Sequence, residues 1–418
     1  MDRKLVVDGF KQCLQRAIDT NVLDVVSMKN FMESIFARAG YRSPKSDVDN
    51  VLILHEADIG AFIVMSAGIR EIRRLYPTAH VTLVVEQDSA SLAECCPYVD
   101  EVIAASFKLD GKFFCELELN AQNFLQIFDA ELKIAGQLLT RRFDLALATV
   151  FSYVPTTPLL AYMSGARMRI AGYDGFWSSL LTANPPIEGK HSVDRFINHV
   201  EYLSGSPVSN RKLEAWFSPD DLNSVRNIIP PNERLIAIGL GGATARKHYP
   251  FYAELIELLR RAEPELKFVL LGGKADFEEA SRVASNVDRN CVVNLVGRTT
   301  FRRTAAALRL CRLYIGNDTS TLHLAAAIGI PVLSPNCYAL DLQNDGVLGA
   351  WHPYGVPSAI VCPNHALDDC KGSKDFFGCR ADYPHCIAQI KPQSLFGALK
   401  FLFERIASGN FEPLFIGV

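Results

Sequence analysis

The sequence predicts an α/β protein built from two Rossmann-like, doubly wound parallel-sheet domains behind a helical N-terminal extension. Three observations predict it. Apolar runs of strand length alternate with amphipathic runs of helix length, first from Val51 and again, after a break, from Leu235. That alternation is the pattern of parallel strands joined by crossover helices. Glycine-containing turns follow the strands, as in HEADIGA after VLIL and GLGG after LIAI, which puts permissive backbone at the carboxyl ends where such sheets take ligands. At 418 residues, the chain also exceeds the roughly 250–300 residues at which a single core stops growing.

Composition narrows the class further. Apolar residues make up 49% of the chain and charged residues 21%, with a formal net charge of -3. This is a globular composition with no general electrostatic drive toward nucleic acid or anionic lipid. Residues Met1–Gln12 mix charge with apolar side chains and lack the order of a signal peptide. The apolar stretch Phe143–Ala166 carries Asp144, Pro155 and Pro158 and reads as a strand and loop, not a membrane span. A cytoplasmic protein without a transmembrane segment is expected, with peripheral membrane contact left open. Eleven cysteines in such a chain argue for free thiols or metal ligands and against a disulfide scaffold.

Along the chain, residues 1–47 place Val22, Val25, Val26, Phe31, Ile35 and Phe36 at helical spacing before Gly40 and Pro44. This extension is read as docking on its own domain, with a second copy of the chain, and so a homo-oligomer, as the alternative. The first domain, 48–215, runs from VLIL through a helix ending at Pro77 to VTLVV, VDEVI and FDLALAT. The stretch from Asn184 to Pro231 is rich in Pro, Ser and Asn, includes a helix around Val193–Leu203, and holds the junction. The second domain, 216–392, restarts with LIAIGLGG, then a helix from Pro250, FVLLGG, a helix from Asp276, VVNLVG, a helix from Phe301, LYIGND, another helix, and PVLS. A final helix and tail fill 393–418, with a crossing back to the first domain left open.

Two stretches carry the chemistry of this second domain. In LYIGNDTSTLHLAAA, a strand runs into Gly316, and Asp318, Thr319, Ser320 and Thr321 crowd the start of an Ala-rich helix containing His323. Small hydroxyl residues at a helix start leave backbone N–H groups available to phosphate, and the helix dipole adds positive potential. An ordinary N-cap uses the same residue types and is the plainer reading. In GLGGATARKHYP, Gly241 and Gly242 end a strand and Thr244, Arg246, Lys247 and His248 precede a helix. A cation there suits a leaving diphosphate, and a solvated charge run is the alternative.

Together these residues resemble the heptosyltransferase family, whose C-terminal domain has an Asp-Thr-Gly-x-x-His-Leu-x-Ala-Ala run. Here it stands as Asp318 to Ala327, with Ser320 in place of the glycine. The resemblance implies a GT-B architecture of two facing domains, with the nucleotide-sugar donor, ADP-heptose, held mainly by the C-terminal one. It assigns Asp318, Thr319, Ser320, Thr321 and His323 to the donor diphosphate, and Lys247 to its charge. Gly241, Gly242, Thr244, Gly273 and Gly297 fall on the surrounding donor turns. It further implies inverting transfer to a saccharide or protein hydroxyl, lipopolysaccharide biosynthesis as the setting, and no catalytic metal.

The first domain resembles the family less closely at one position. The family pattern is Ile-Gly-Asp, a helix, and Arg-Arg-x-x-Pro, with that Asp held to be the general base. This chain has Ile59, Gly60 and Ala61, then Arg73, Arg74 and Pro77. Alanine cannot accept a proton. Asp58, Glu56 and His55 lie on the same turn, and Asp58 is taken as the candidate base, with a simple helix cap as its plainer role. A base from elsewhere, or a nucleotide-sugar-binding or assembly protein without efficient transfer, are the competing readings. A sugar epimerase on the same double fold fits the Asp318–Leu324 run less well.

Near the C-terminus Cys362, Cys370, Cys379 and Cys386 are separated by seven, eight and six residues in a segment read as loop-rich. Four thiolates at this density fit a tetrahedral structural zinc or iron site. A redox pair or free thiols are the alternatives. Some members of the family have a similar cysteine-bearing finger ahead of an Ile-x-Pro-x-x-Leu helix start, matched here by Ile390, Pro392 and Leu395.

Overall fold

The computed structural model describes residues 48–109, 112–113, 126, 133–138, 141–149, 157–172, 178, 180–186, 188–230, 234–242, 244–342, 349–367 and 383–418. The N-terminal extension expected over 1–47 lies outside them. Two compact units result: the second takes Asn210–Val418 together with Ile63–Ala67 and Gly189–Asp194, and the first takes the remainder. Among the described residues no helix is long and apolar enough to cross a membrane.

The first unit is organised on a five-stranded parallel sheet. Its strands are β1 (Asn50–His55), β2 (His80–Glu86), β3 (Glu101–Ala105), β4 (Leu145–Ala148) and β5 (Met168–Ile170), in the order β3-β2-β1-β4-β5. Val51 to Leu54 are fully buried, as a central parallel strand covered on both faces requires, so β1 reads as a continuous apolar run without alternation. Short helices α1 (Ile59–Val64), α2 (Ser66–Leu75), α3 (Gln87–Ala93) and α4 (Thr157–Met163) provide connections. Helix α5 (Ser192–Ser204) buries Val193, Phe196, Ile197 and Val200, the i, i+3, i+4, i+7 stripe of an amphipathic helix. Its Phe196 ring lies where a side chain on Gly68 of α2 would be, 2.1 Å from an added Cβ.

The second unit repeats the plan with seven parallel strands. These are β6 (Arg234–Gly239), β7 (Leu266–Leu271), β8 (Val292–Asn294), β9 (Leu313–Gly316), β10 (Val332–Pro335), β11 (Ser358–Cys362) and β12 (Leu414–Gly417). Their order is β8-β7-β6-β9-β10-β11-β12. In both sheets the chain steps outward for three strands and then returns past its first strand, the Rossmann order, which leaves a reversal point beside β1 and β6. Helices α6 (Pro219–Arg226), α7 (Tyr252–Ala262), α8 (Phe277–Ser285), α9 (Phe301–Leu308), α10 (Ser320–Ile328) and α11 (Pro392–Ser408) complete it. The core joins Ile238, Leu270, Ile315, Leu333 and Val361 of the sheet to Leu255 and Leu259 of α7 and Leu395, Leu399 and Leu402 of α11.

Three elements depart from the sequence reading. The helix expected from Pro250 begins at Tyr252. The segment read as loop-rich from Cys362 starts inside β11, whose last residue is Cys362 itself, and the tail after α11 returns as strand β12 beside it. Both strands are four or five residues long and flanked by Pro and Gly, so they lack the length that marks a strand in sequence.

Candidate functional site

The second sheet's reversal point lies between β6 and β9, where Gly239 pairs with Gly316. Glycine is needed at both because the Tyr314 side chain lies against them. An added Cβ would come within 1.9 Å of the Tyr314 hydroxyl at Gly239, and within 2.8 Å of the Gly239 Cα at Gly316. Beyond the strand ends, fully buried Asn317 holds the two turns together. Its Nδ2 donates to the Leu240 carbonyl at 2.8 Å and the Gly241 carbonyl at 3.0 Å, while its Oδ1 accepts from the Tyr252 hydroxyl at 2.7 Å and the Tyr249 N–H at 3.2 Å. The amide is satisfied by its surroundings, which fixes the path of the glycine turn.

On this frame the predicted cation and carboxylate meet. Lys247 ends a single 3₁₀ turn, Ala245–Lys247, and its Nζ donates to Asp318 Oδ2 at 2.9 Å and to the Asp318 carbonyl at 3.3 Å. Burial alone would pull the Lys247 ammonium down, but Asp318 outweighs it and the pKa is raised. Burial would likewise raise Asp318, yet Lys247, with His323 and Arg246 behind it, holds the carboxyl below its ordinary range. The pair is charged on both sides. Arg246 lies over the Tyr338 ring, 6.0 Å from its centroid.

The remaining predicted donor residues surround this pair. Thr319 is extended, with φ -148°, at the N-cap of α10, and Ser320 and Thr321 begin the helix, whose first N–H groups have no intrahelical acceptor. His323, one turn in, is buried with its ring 6.1 Å from that of Trp351. Gly297 is left-handed at φ 69° and its N–H donates to the Gly272 carbonyl at 3.1 Å, bringing the turn after β8 against the turn after β7. Gly273 donates its N–H to Asp276 Oδ2 at 2.7 Å, and the same oxygen would lie 3.0 Å from a Cβ on Gly241. So the turns carrying Gly241, Gly273 and Gly297 converge on one end of the sheet. Gly242 packs on His248, and Thr244 stands exposed at the start of the 3₁₀ turn. Asn317, Tyr252 and Asp276 were missed in the sequence, although a buried amide directly after an apolar strand signals a structured turn.

The first sheet's reversal point carries His55, Glu56 and Asp58. His55 sets Nδ1 3.1 Å from Thr149 Oγ1 and Nε2 3.3 Å from the Asp58 carbonyl. Burial lowers its pKa to about 4, so the ring is neutral near pH 7. Asp58 is exposed and caps α1, its Oδ1 accepting from the Ala61 N–H at 2.8 Å. The helix cap weighed in the sequence is therefore present. Glu56 is 1% exposed, and the Thr157 hydroxyl donates to its Oε2 at 2.8 Å.

Of the four predicted metal ligands, Cys362 and Cys386 are described and buried, while Cys370 and Cys379 lie outside the described residues. Burial pushes the Cys362 thiol up to about 12. Cys386 Sγ accepts from the Leu367 N–H at 3.4 Å. Among the described residues no three His, Cys, Asp or Glu side chains group as a metal site.

The model for glycosyltransferase family 9 (heptosyltransferase) matches residues 132–335. The chain is 24% identical over 362 residues to lipopolysaccharide heptosyltransferase 1 of Pseudomonas aeruginosa, covering 82% of this chain and 95% of that protein. It is 22% identical over 291 residues to lipopolysaccharide heptosyltransferase 3 of Escherichia coli, covering 66% and 78%. In fold it is similar to a glycosyl transferase family 9 protein of Veillonella parvula, with TM-score 0.68, 17% identity and 88% of this chain and 100% of that one covered. It is similar also to E. coli ADP-heptose LPS heptosyltransferase II, with TM-score 0.63, 17% identity and coverage of 86% and 99%. Two parallel α/β sheets of Rossmann order and these matches support a glycosyltransferase with the GT-B fold, similar over residues 132–335 to the heptosyltransferases of glycosyltransferase family 9.

Proposed function

We propose that the chain transfers a heptose from ADP-heptose to a saccharide of the lipopolysaccharide type, with inversion at the anomeric carbon. The observation that carries the reading is the Lys247–Asp318 pair at the start of α10. A fixed ammonium beside free helix N–H groups suits the charge that grows on a departing diphosphate. Gly241, Gly242, Thr244, Gly273, Gly297, Thr319, Ser320, Thr321 and His323 are the proposed donor contacts, and the relatives named for heptosyl transfer support the choice of sugar. Asp58, exposed on its turn, is the base expected from the sequence. Titration calorimetry with ADP-, UDP- and GDP-sugars tests the donor assignment. ADP-heptose is expected to bind most tightly, and Lys247→Met to weaken it at least tenfold. Equal binding of all three, or an indifferent Lys247→Met, overturns it.

A second reading is a binding or assembly protein that holds the nucleotide sugar without transferring it. Ala61 favours it, since this residue offers the acceptor only its backbone, and its N–H is already donated to Asp58. Donor binding without ADP release in the presence of saccharide acceptors would select this reading over transfer.

The proposed structural zinc or iron would be held by Cys362, Cys370, Cys379 and Cys386, closing β11 against the segment that precedes α11. No step of the transfer is assigned to it.

A further inference from the structure

Transfer to a hydroxyl needs a group that takes the hydroxyl's proton, and the turn after β1 offers three candidates. Two are already engaged. Both ring nitrogens of His55 lie in hydrogen-bond reach of Thr149 and the Asp58 carbonyl, and Asp58 is exposed with its Oδ1 capping α1 through the Ala61 N–H. Glu56 differs: Thr157 occupies Oε2, while Oε1 is buried and has no hydrogen-bond partner among the described residues. A buried carboxyl oxygen left without a donor is costly to keep, and such orphans mark places where a group from outside the chain is wanted. Its position agrees, because Glu56 directly follows β1 beside β4, where the first sheet's strand order reverses, and open α/β sheets bind ligands there. One residue later the chain reaches the surface: Ala57 is half-buried and Asp58 exposed.

We propose that Glu56 accepts the proton of the acceptor hydroxyl, supplying the base that Ala61 cannot. The inference rests on the transferase reading above. In the step, the acceptor O–H proton passes to the Glu56 carboxylate as the acceptor oxygen bonds to the anomeric carbon. The bond from that carbon to the diphosphate oxygen breaks, and its electron pair leaves on the nucleoside diphosphate.

The electrostatics of the turn set the pH at which this works. Burial raises the Glu56 carboxyl to about 8, against the pull of the Thr157 hydroxyl. Around it, His55 stays neutral above about pH 4. Asp58 and Lys108 face each other electrostatically, and Lys108 is engaged by Asp88 at 2.7 Å and Glu86 at 3.8 Å. A base that is mostly protonated at neutral pH gives a rate that climbs about tenfold per pH unit below its pKa.

The test uses the full chain, ADP-heptose and a saccharide acceptor, with ADP release followed from pH 6 to 9 and donor binding measured by calorimetry. Glu56→Gln keeps the shape and the contact to Thr157. It is expected to lower kcat/KM at least 100-fold and to flatten the rise with pH, with donor affinity changed less than twofold. Asp58→Asn, which can still cap α1, is the comparison variant for the base expected from the sequence. Parent-like turnover or an unchanged pH rise in Glu56→Gln overturns the assignment and leaves the transferase standing, and so does a collapse in Asp58→Asn alone. A parent chain that binds donor and transfers nothing overturns both readings together.

Discussion

Replacing either member of the Lys247–Asp318 pair should destabilise the second unit more than replacing both would suggest by addition. At 2.9 Å, two unit charges attract by about 6 kcal/mol at an effective dielectric of 20 and about 1.4 kcal/mol in water. The side chains are 20% and 16% exposed, so the pair lies between the surface case, about 0–1 kcal/mol, and the buried case, about 3–5 kcal/mol for removing one partner. We expect about 2–3 kcal/mol for Lys247→Met and for Asp318→Asn singly. The double variant should fall short of their sum by about 1–2 kcal/mol, because neither charge is then left alone. Urea unfolding followed by fluorescence and circular dichroism measures all four corners of the cycle. Additivity within about 0.5 kcal/mol would show that the two side chains do not hold each other in solution.

Gly68→Ala should destabilise the first unit by about 1–3 kcal/mol through overpacking, since the new methyl meets the buried Phe196 ring. Adding Phe196→Leu should recover part of the loss in thermal melts, and an additive double variant would contradict the contact. Stability should also carry the mark of two buried titrations. The native state holds the Glu56 proton more firmly than the unfolded chain, so this contribution is full below about pH 4.3 and is lost as pH rises through about 8. Glu56→Gln should therefore gain on the parent as pH rises across that window, by at most about 5 kcal/mol. A gap independent of pH would refute it. His55 acts in the opposite direction, its folded pKa of about 4 removing stability as pH falls from about 6.5. His55→Gln should shift acid unfolding downward in pH.

The alternation of strands and helices was legible because both sheets are central and parallel, and buried parallel strands such as Val51–Leu54 and Leu235–Ile238 are unbroken apolar runs. Cation and carboxylate were legible as residue types next to glycine turns, and the sheet order then explains why residues 71 positions apart meet. The supports of the site were not. Asn317 acts through four hydrogen bonds to partners far along the chain, and no local pattern marks that. The availability of a carboxyl oxygen on Glu56 was equally hidden, because it depends on what His55, Asp58 and Thr157 do in three dimensions. Strands β11 and β12 escaped for a different reason: each is too short to show a period, and it is their mutual pairing that defines them.

Lys247 never stands as a bare cation, since Asp318 answers its charge from within the same fold. Any phosphate arriving there shares the ammonium with a resident rival, which limits how hard the empty site can grip stray anions. On the proposed donor assignment, the carboxylate is already in place to receive the lysine back when a nucleotide departs. A counter-ion carried by the protein itself thus exchanges tightness for quick release, which serves an agent that must let go of one molecule before it can take another.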